Sequence, residues 1–269
     1  RLAPMFGYEI LFVHGAWEGP WVFSPWSAYL AENGWAVRSL TLPGHGPGDE
    51  AGRYGLGDYV EALEEGVWDP GRTVLVGHSL GGWLVLKYLE EHQVAASVLL
   101  APVPESGLPL RTQKALLRLA PWHTAACLLL GRPPVIDDPS VVRRTTFLPD
   151  TPEEVVQRFM ERCVAESPRV IRALSLMRWA PLAPHRVRKR RLRALQRGRP
   201  HLLLAAERDF FFLPEELTST ASLLGAETWM LKGSPHGFPV LDEDRAVIGG
   251  LEGWLRRHLA SETVDPPKA

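Results

Sequence analysis

Short runs of apolar residues, each bounded by Gly or Pro, recur at wide spacing along the chain. Short apolar runs of about four to eight residues are typical of buried strands. The pattern therefore predicts six strands, at Glu9 to Val13, Ala36 to Leu42, Thr73 to Val76, Ala96 to Leu100, His201 to Ala205 and Glu227 to Leu231.

Segments with helical character separate these strands. They comprise Trp26 to Asn33, Leu56 to Val67, Leu80 to His92 and, after the last strand, Asp244 to His258. Parallel strands need crossover connections, and helices usually supply them. The alternation predicts the α/β class, with a mostly parallel central sheet and helices on both faces.

The interval between the fourth and fifth strands is far longer than one crossover needs. Thr151 to Glu154 resembles a capping box with Pro at the first helical position, and Ser167-Pro168 starts another helix in the same style. We predict an inserted helical cap. The chain then divides into a first core part at 1–107, the cap at 108–196, a second core part at 197–260 and a tail at 261–269.

One motif of the sequence carries nucleophile chemistry. Gly77-His78-Ser79-Leu80-Gly81 lies between the third predicted strand and a helix, which is the context of a nucleophile elbow. The turn is sharp, so the residues two positions either side of Ser79 must be small. Ser79 is therefore the candidate nucleophile.

A serine hydroxyl needs a histidine as base, and the histidine needs a carboxylate to fix its tautomer. On this kind of fold the order along the chain is Ser, acid, His, each after a strand. Asp209 and His236 fit that order. Glu207 is the alternative acid, whereas Asp242 and Asp244 follow the histidine and are disfavoured.

The negative charge of a tetrahedral intermediate requires fixed N–H donors. We expect them from Leu80, at the start of a helix, and from Ala16, in the turn after the first strand. His14, His45 and His78 are interpreted as structural hydrogen-bonding residues. The candidate substrate pocket comprises Trp17, His78, Trp122, Phe159, Met160, Phe210 and Phe238.

These motifs together resemble those of the α/β-hydrolase superfamily. The matching segments are HGAW, LPGHG, GHSLGG, AERD and PHG. The beginning of the chain is similar to the branch typified by plant methylesterases and hydroxynitrile lyases. The lyases of that branch carry a lysine after the catalytic histidine, and this chain has Gly237 there. Relatives that open epoxides or displace halide use Asp where this chain has Ser79.

Composition narrows the class of partner. The 269 residues are 45% hydrophobic and carry a net charge of -1, so no global field attracts nucleic acid or a membrane surface. We expect a cytoplasmic protein without stable membrane association, and the oligomeric state stays open.

The basic run Arg186 to Arg199 is interpreted as a solvated rim of the insertion. Cys127 and Cys163 are too few for a disulfide framework, although one disulfide between them stays open.

The expected reaction is hydrolysis of a small to medium hydrophobic carboxylic ester, with no metal or organic cofactor. The same machinery also serves thioesterases, lactonases and C–C hydrolases. For a thioesterase, the basic run would be the handle on a phosphorylated carrier. A further alternative is a ligand receptor that keeps the triad but has negligible turnover.

Overall fold

A computed structural model of the chain describes residues 7–131, 137–179, 185–242 and 245–259. The predicted tail at 261–269 lies outside these ranges, as does Asp244. Within them, six parallel strands form one sheet in the order β2-β1-β3-β4-β5-β6. The strands are β1 (Glu9–Val13), β2 (Ala36–Leu40), β3 (Thr73–His78), β4 (Ala96–Leu100), β5 (His201–Ala206) and β6 (Glu227–Leu231). The predicted α/β class is confirmed.

Helices cover both faces of the sheet. Those of the sheet layers are α1 (Ser24–Glu32), α2 (Leu56–Gly66), α3 (Leu80–Tyr88), α10 (Pro214–Leu224), α11 (Phe238–Leu241) and α12 (Ala246–Leu259). The described parts of 108–196 hold α4 (Leu110–Leu119), α5 (Pro121–Leu130), α6 (Pro139–Thr146), α7 (Glu153–Met160), α8 (Pro168–Leu176) and α9 (Lys189–Leu195), and no strand. Within the described ranges, none of the helices has the length and apolar character needed to cross a membrane.

Side chains of the buried strands alternate between two cores, as strand geometry requires. Leu11 and Val13 of β1 pack on the face that holds Trp83 of α3, whereas Ile10 and Phe12 pack on the opposite face. Each face therefore has its own layer of apolar contacts, and the central strands lie buried between them. The edge strands β2 and β6, which the sequence pattern predicts to be buried as well, are partly exposed because each pairs with only one neighbour.

Local hydrogen bonds explain where the observed elements differ from those predicted. Strand β2 ends two residues early because the Leu42 N–H donates to Nε2 of His14 rather than to a ladder partner. The predicted capping box is wrong. The Thr151 hydroxyl accepts from the N–H of Leu148, and α7 starts at Glu153 without a side-chain cap. Cys127 and Cys163 are both free thiols, so they do not form the disulfide that the sequence left open.

The strand order reverses beside β1, because β2 pairs with one of its edges and β3 with the other. In open parallel sheets, ligands bind in the crevice that such a reversal opens at the carboxyl ends of the strands. The turn after β1 and the turn holding Ser79 meet at this place.

Candidate active site

Ser79 lies on a strained turn between β3 and α3. Its φ of 52° and ψ of -115° are values that a side chain disfavours. Two of its neighbours must be glycine. A Cβ on Gly77 would lie 2.7 Å from the Gly82 nitrogen, and one on Gly81 would lie 2.6 Å from the His14 carbonyl oxygen. The turn can form only because both residues lack a side chain.

Asp209 follows β5 and contacts His236, which follows β6. The Asp209 Oδ2 lies 2.8 Å from His236 Nδ1, and both residues are almost fully buried. The other carboxylate oxygen accepts the N–H groups of Phe211 and Phe212, at 2.7 and 3.0 Å. Because the carboxylate accepts at Nδ1, the proton lies on Nδ1 and Nε2 is left as the basic atom.

The alternative acids are engaged elsewhere. The Glu207 carboxylate accepts the N–H of Gly233 at 2.7 Å. The Asp242 carboxylate accepts the N–H groups of Val247 and Ile248 at the start of α12. The geometry therefore favours Asp209 as the partner of His236.

Ser79 and His236 line the same cavity, whose volume is about 350 Å³. Ala16 and Leu80, the two expected N–H donors, line it as well. Leu80 is the first residue of α3, so its N–H has no acceptor within the helix and the helix dipole favours an anion there. The structure thus brings Ser79, His236 and the two expected donors to one cavity whose lining is mostly apolar.

The pocket prediction agrees with the cavity only in part. Trp17, Trp122 and Phe159 line it, and Trp122 is at the same time 84% exposed. The other four residues lie outside the lining. His78 is held by hydrogen bonds at both ring nitrogens. Phe238 is buried in the core, and Met160 packs against the core. The rings of Phe210 and Phe211 contact each other edge to face.

Phe211 lines the cavity in place of Phe210, and sequence reasoning missed it. Its ring centroid lies 4.7 Å from that of His236. Three consecutive phenylalanines follow Asp209, and no signal in the sequence tells which of them faces the site. Most of the remaining lining comes from the helical segments between β4 and β5, including Leu116, Ile171 and Leu174.

The three histidines interpreted as structural are all buried and hydrogen-bonded. His14 accepts the Leu42 N–H, and burial, together with the neighbouring His45, lowers its pKa to about 4, so it stays neutral. His78 lies between the Glu18 carboxylate and the His236 carbonyl oxygen, at 3.0 and 3.1 Å. Glu18 itself was missed, because nothing in the local sequence shows that it is buried.

A family model described as "Alpha/beta hydrolase family" matches residues 10–249. No curated protein sequence matches the chain. An esterase from Exiguobacterium antarcticum has a similar structure, with a TM-score of 0.70 at 19% identity over 93% of this chain and 92% of that one.

Two further solved structures cover nearly the whole chain. A carboxylesterase study of Nitrososphaera gargenis provides one, with a TM-score of 0.67 at 16% identity over 94% of this chain and 92% of that one. A methylesterase from Arabidopsis provides the other, with a TM-score of 0.64 at 18% identity over 94% of this chain and 99% of that one. At such identities the likeness concerns the fold.

Proposed function

Because the chain belongs to the alpha/beta hydrolase family, we propose that it is a serine hydrolase that cleaves small to medium hydrophobic carboxylic esters. The observation that carries this proposal is the contact of 2.8 Å between Asp209 and His236 beside the cavity that also holds Ser79. A base whose tautomer is set by a buried carboxylate is what a serine nucleophile requires.

In the proposed reaction, Nε2 of His236 takes the hydroxyl proton of Ser79 as the oxygen attacks the ester carbonyl. The N–H groups of Ala16 and Leu80 stabilise the oxyanion. His236 then gives its proton to the departing alcohol, which leaves an acyl group on Ser79. A water molecule, deprotonated by His236, attacks this acyl-enzyme. His236 then returns the proton to the Ser79 oxygen as the bond to the acyl group breaks and the acid is released.

The form of the cavity supports the substrate class. Its volume of about 350 Å³ is at the lower end of the range for small-molecule sites. Apolar side chains make up most of its wall, and the insertion at 108–196, which we propose is a cap, supplies many of them. A short or medium acyl chain fits this description better than a long one.

The basic run does not support the thioesterase alternative. Arg193, Arg197 and Arg199 line a second cavity beside the start of β5, at the edge of the sheet opposite the carboxyl ends. Arg188 and Arg191 pair with Glu91. A phosphorylated carrier held by these arginines would therefore lie at the amino ends of the strands, whereas Ser79 lies at their carboxyl ends.

Gly237 argues against cyanide-lyase chemistry. A Cβ at this position would lie 2.8 Å from the carbonyl oxygen of Thr146, so a lysine does not fit after His236. The site accordingly lacks the cation that follows the histidine in the lyases that resemble this chain.

A panel of p-nitrophenyl esters with acyl chains of increasing length tests the proposal, with Ser79→Ala as its control. We expect turnover that is highest for short to medium acyl chains and a loss of about 10⁶-fold in kcat in the variant. Unchanged turnover in Ser79→Ala would refute the serine mechanism. A protein that binds the esters but turns over none of them would instead support the receptor alternative.

A further inference from the structure

The turn that contains Ala16 is held by a carboxylate on each side. The Gly15 N–H donates to Oε2 of Glu18 at 2.7 Å, and the Trp17 N–H makes a longer bond of 3.4 Å to Oε2 of Glu166. We propose that Glu18 and Glu166 are positioning residues, which fix the two neighbouring amides so that the Ala16 N–H faces the oxyanion. This inference rests on the proposed function, because it assigns a task to the oxyanion turn.

Glu18 connects the turn to the other reacting groups. Its Oε2 also contacts Nδ1 of His78 at 3.0 Å, and His78 directly precedes Ser79. Nε2 of His78 in turn donates to the carbonyl oxygen of His236 at 3.1 Å. The oxyanion turn, the nucleophile turn and the histidine loop are thus joined by one buried chain of hydrogen bonds.

The close approach of Glu18 to the turn depends on Gly15. A Cβ on this residue would lie 2.8 Å from Oε2 of Glu18 and 3.0 Å from the Cβ of Ser79. Any side chain at Gly15 would therefore push the carboxylate or the nucleophile away. The glycine and the glutamate make one structural unit.

Glu166 reaches the turn from the insertion and is fully buried. Its Oε1 accepts the Tyr59 hydroxyl at 2.7 Å and the Ser167 N–H at 2.6 Å, and its Oε2 lies 3.3 Å from Nε2 of His45. These contacts hold the carboxylate in one orientation, so it can serve as a fixed acceptor for the turn.

Trp17 needs such a hold, because its φ of 63° is a left-handed value that a bulky residue disfavours. Two hydrogen bonds connect it to the insertion. Besides the bond to Glu166, the Trp17 carbonyl oxygen accepts the N–H of Val164 at 3.0 Å. The strained residue next to Ala16 is therefore held by two residues of the insertion, Val164 and Glu166.

Two unpaired negative carboxylates near a developing oxyanion would destabilise its charge. In this structure each carboxylate is instead paired with a histidine. Burial lowers the pKa of His78, but the charge and hydrogen bond of Glu18 outweigh burial and hold that pKa above its usual value. Burial likewise acts against His45, and the contact with Glu166 raises its pKa. Each histidine thus offsets charge on its carboxylate while the carboxylate keeps its acceptor atoms.

Alanine variants of Glu18 and Glu166 test the proposal, with glutamine variants as conservative replacements. The readouts are kcat and KM for a p-nitrophenyl ester and the inhibition constant of a trifluoromethyl ketone, which binds serine hydrolases as an oxyanion. We expect each alanine variant to lose about 10- to 100-fold in kcat and a similar factor in ketone affinity, with KM nearly unchanged. The glutamine variants keep an acceptor oxygen and should recover most of both.

Glu105→Ala is the matched control. Glu105 is also a buried carboxylate, but it binds Lys189, Ser219 and Thr220. The Glu105→Ala variant should be less stable than the wild type but keep its kcat and its affinity for the ketone. Should an alanine variant fail to fold, the methionine variant, which keeps the volume and removes the acceptor, takes its place.

Unchanged kcat and ketone affinity in the Glu18 and Glu166 variants would overturn the proposal. An equal loss of kcat in Glu105→Ala would also overturn it, because the loss would then follow from stability alone. Ser79→Ala is measured alongside. An inactive wild type or an active Ser79→Ala refutes the serine mechanism, whereas an inactive Ser79→Ala with unaffected glutamate variants refutes only the positioning role.

Discussion

Replacing Gly81 with alanine should damage both the fold and the chemistry of this protein. The added Cβ would lie 2.6 Å from the carbonyl oxygen of His14, whereas ordinary contacts begin at 3.4 Å. It would lie still closer to the carbonyl oxygen of Val13. Because both neighbours are backbone atoms at the end of β1, no side-chain rotation can relieve the clash. The contact with His14 alone requires α3 to move away from β1 by about 0.8 Å, and the contact with Val13 requires more.

Overpacking of this kind costs about 1 to 3 kcal/mol, and we expect the upper end because only backbone can yield. The movement separates Ser79 from the oxyanion turn. A misplacement of about 1 Å can reduce a rate by about 10²-fold, so kcat/KM of the folded variant should fall by that order. Urea unfolding followed by tryptophan fluorescence gives the first quantity. Ester hydrolysis per folded molecule gives the second.

Gly253→Ala is the matched control for this substitution. Gly253 lies within α12, where an added Cβ would meet the Arg257 side chain at an ordinary 3.6 Å. Alanine is favoured over glycine inside a helix, so this variant should gain about 0.5 to 1 kcal/mol and keep its activity. A Gly81→Ala protein as stable and as active as the wild type would show that the account of the nucleophile turn is wrong.

Two further predictions concern stability. Ser79→Gly should be more stable than Ser79→Ala by about 1 kcal/mol, because glycine relieves the backbone strain at a φ of 52°. Thermal unfolding of the two inactive variants measures the difference, and equal stability would argue against strain at this residue. Burial lowers the pKa of His201 to about 4, so the unfolded chain takes up a proton between pH 6.5 and 4 that the folded protein excludes. As the pH is lowered through that window, the free energy of unfolding should therefore decrease by up to about 1.4 kcal/mol per pH unit because of this group. His201→Gln should lose that part of the pH dependence, which urea titrations at several pH values measure. A variant with the wild-type slope would contradict the assignment.

The elements of the sheet could be predicted from the sequence because their burial leaves a local mark. The central strand β3, for example, is buried along its whole length and contains the apolar run Val74 to Val76, which is closed by Gly77. The contact between Asp209 and His236, beside the cavity that Ser79 also lines, could be predicted for a related reason. Their order along the chain and their positions after strands follow from the topology, so the sequence alone narrows the candidates to a few.

Contacts between distant segments could not be predicted in this way. Glu166 lies 149 residues from Trp17, and nothing near either residue indicates that they meet. Thr151 looks like a helix cap, but its hydroxyl accepts from Leu148 instead. The side of the loop that faces the cavity selects Phe211 over Phe210, and that choice depends on backbone geometry rather than residue type.

Covalent labelling of Ser79 tests the central claim most directly. The protein is treated with a fluorophosphonate, the modified residue is identified by peptide mass spectrometry, and the remaining ester hydrolysis is measured on the same samples. The account predicts an adduct on Ser79 and a loss of hydrolysis in proportion to the fraction labelled. Full labelling of Ser79 with hydrolysis unchanged, or complete inactivation with the label on another residue, would contradict it.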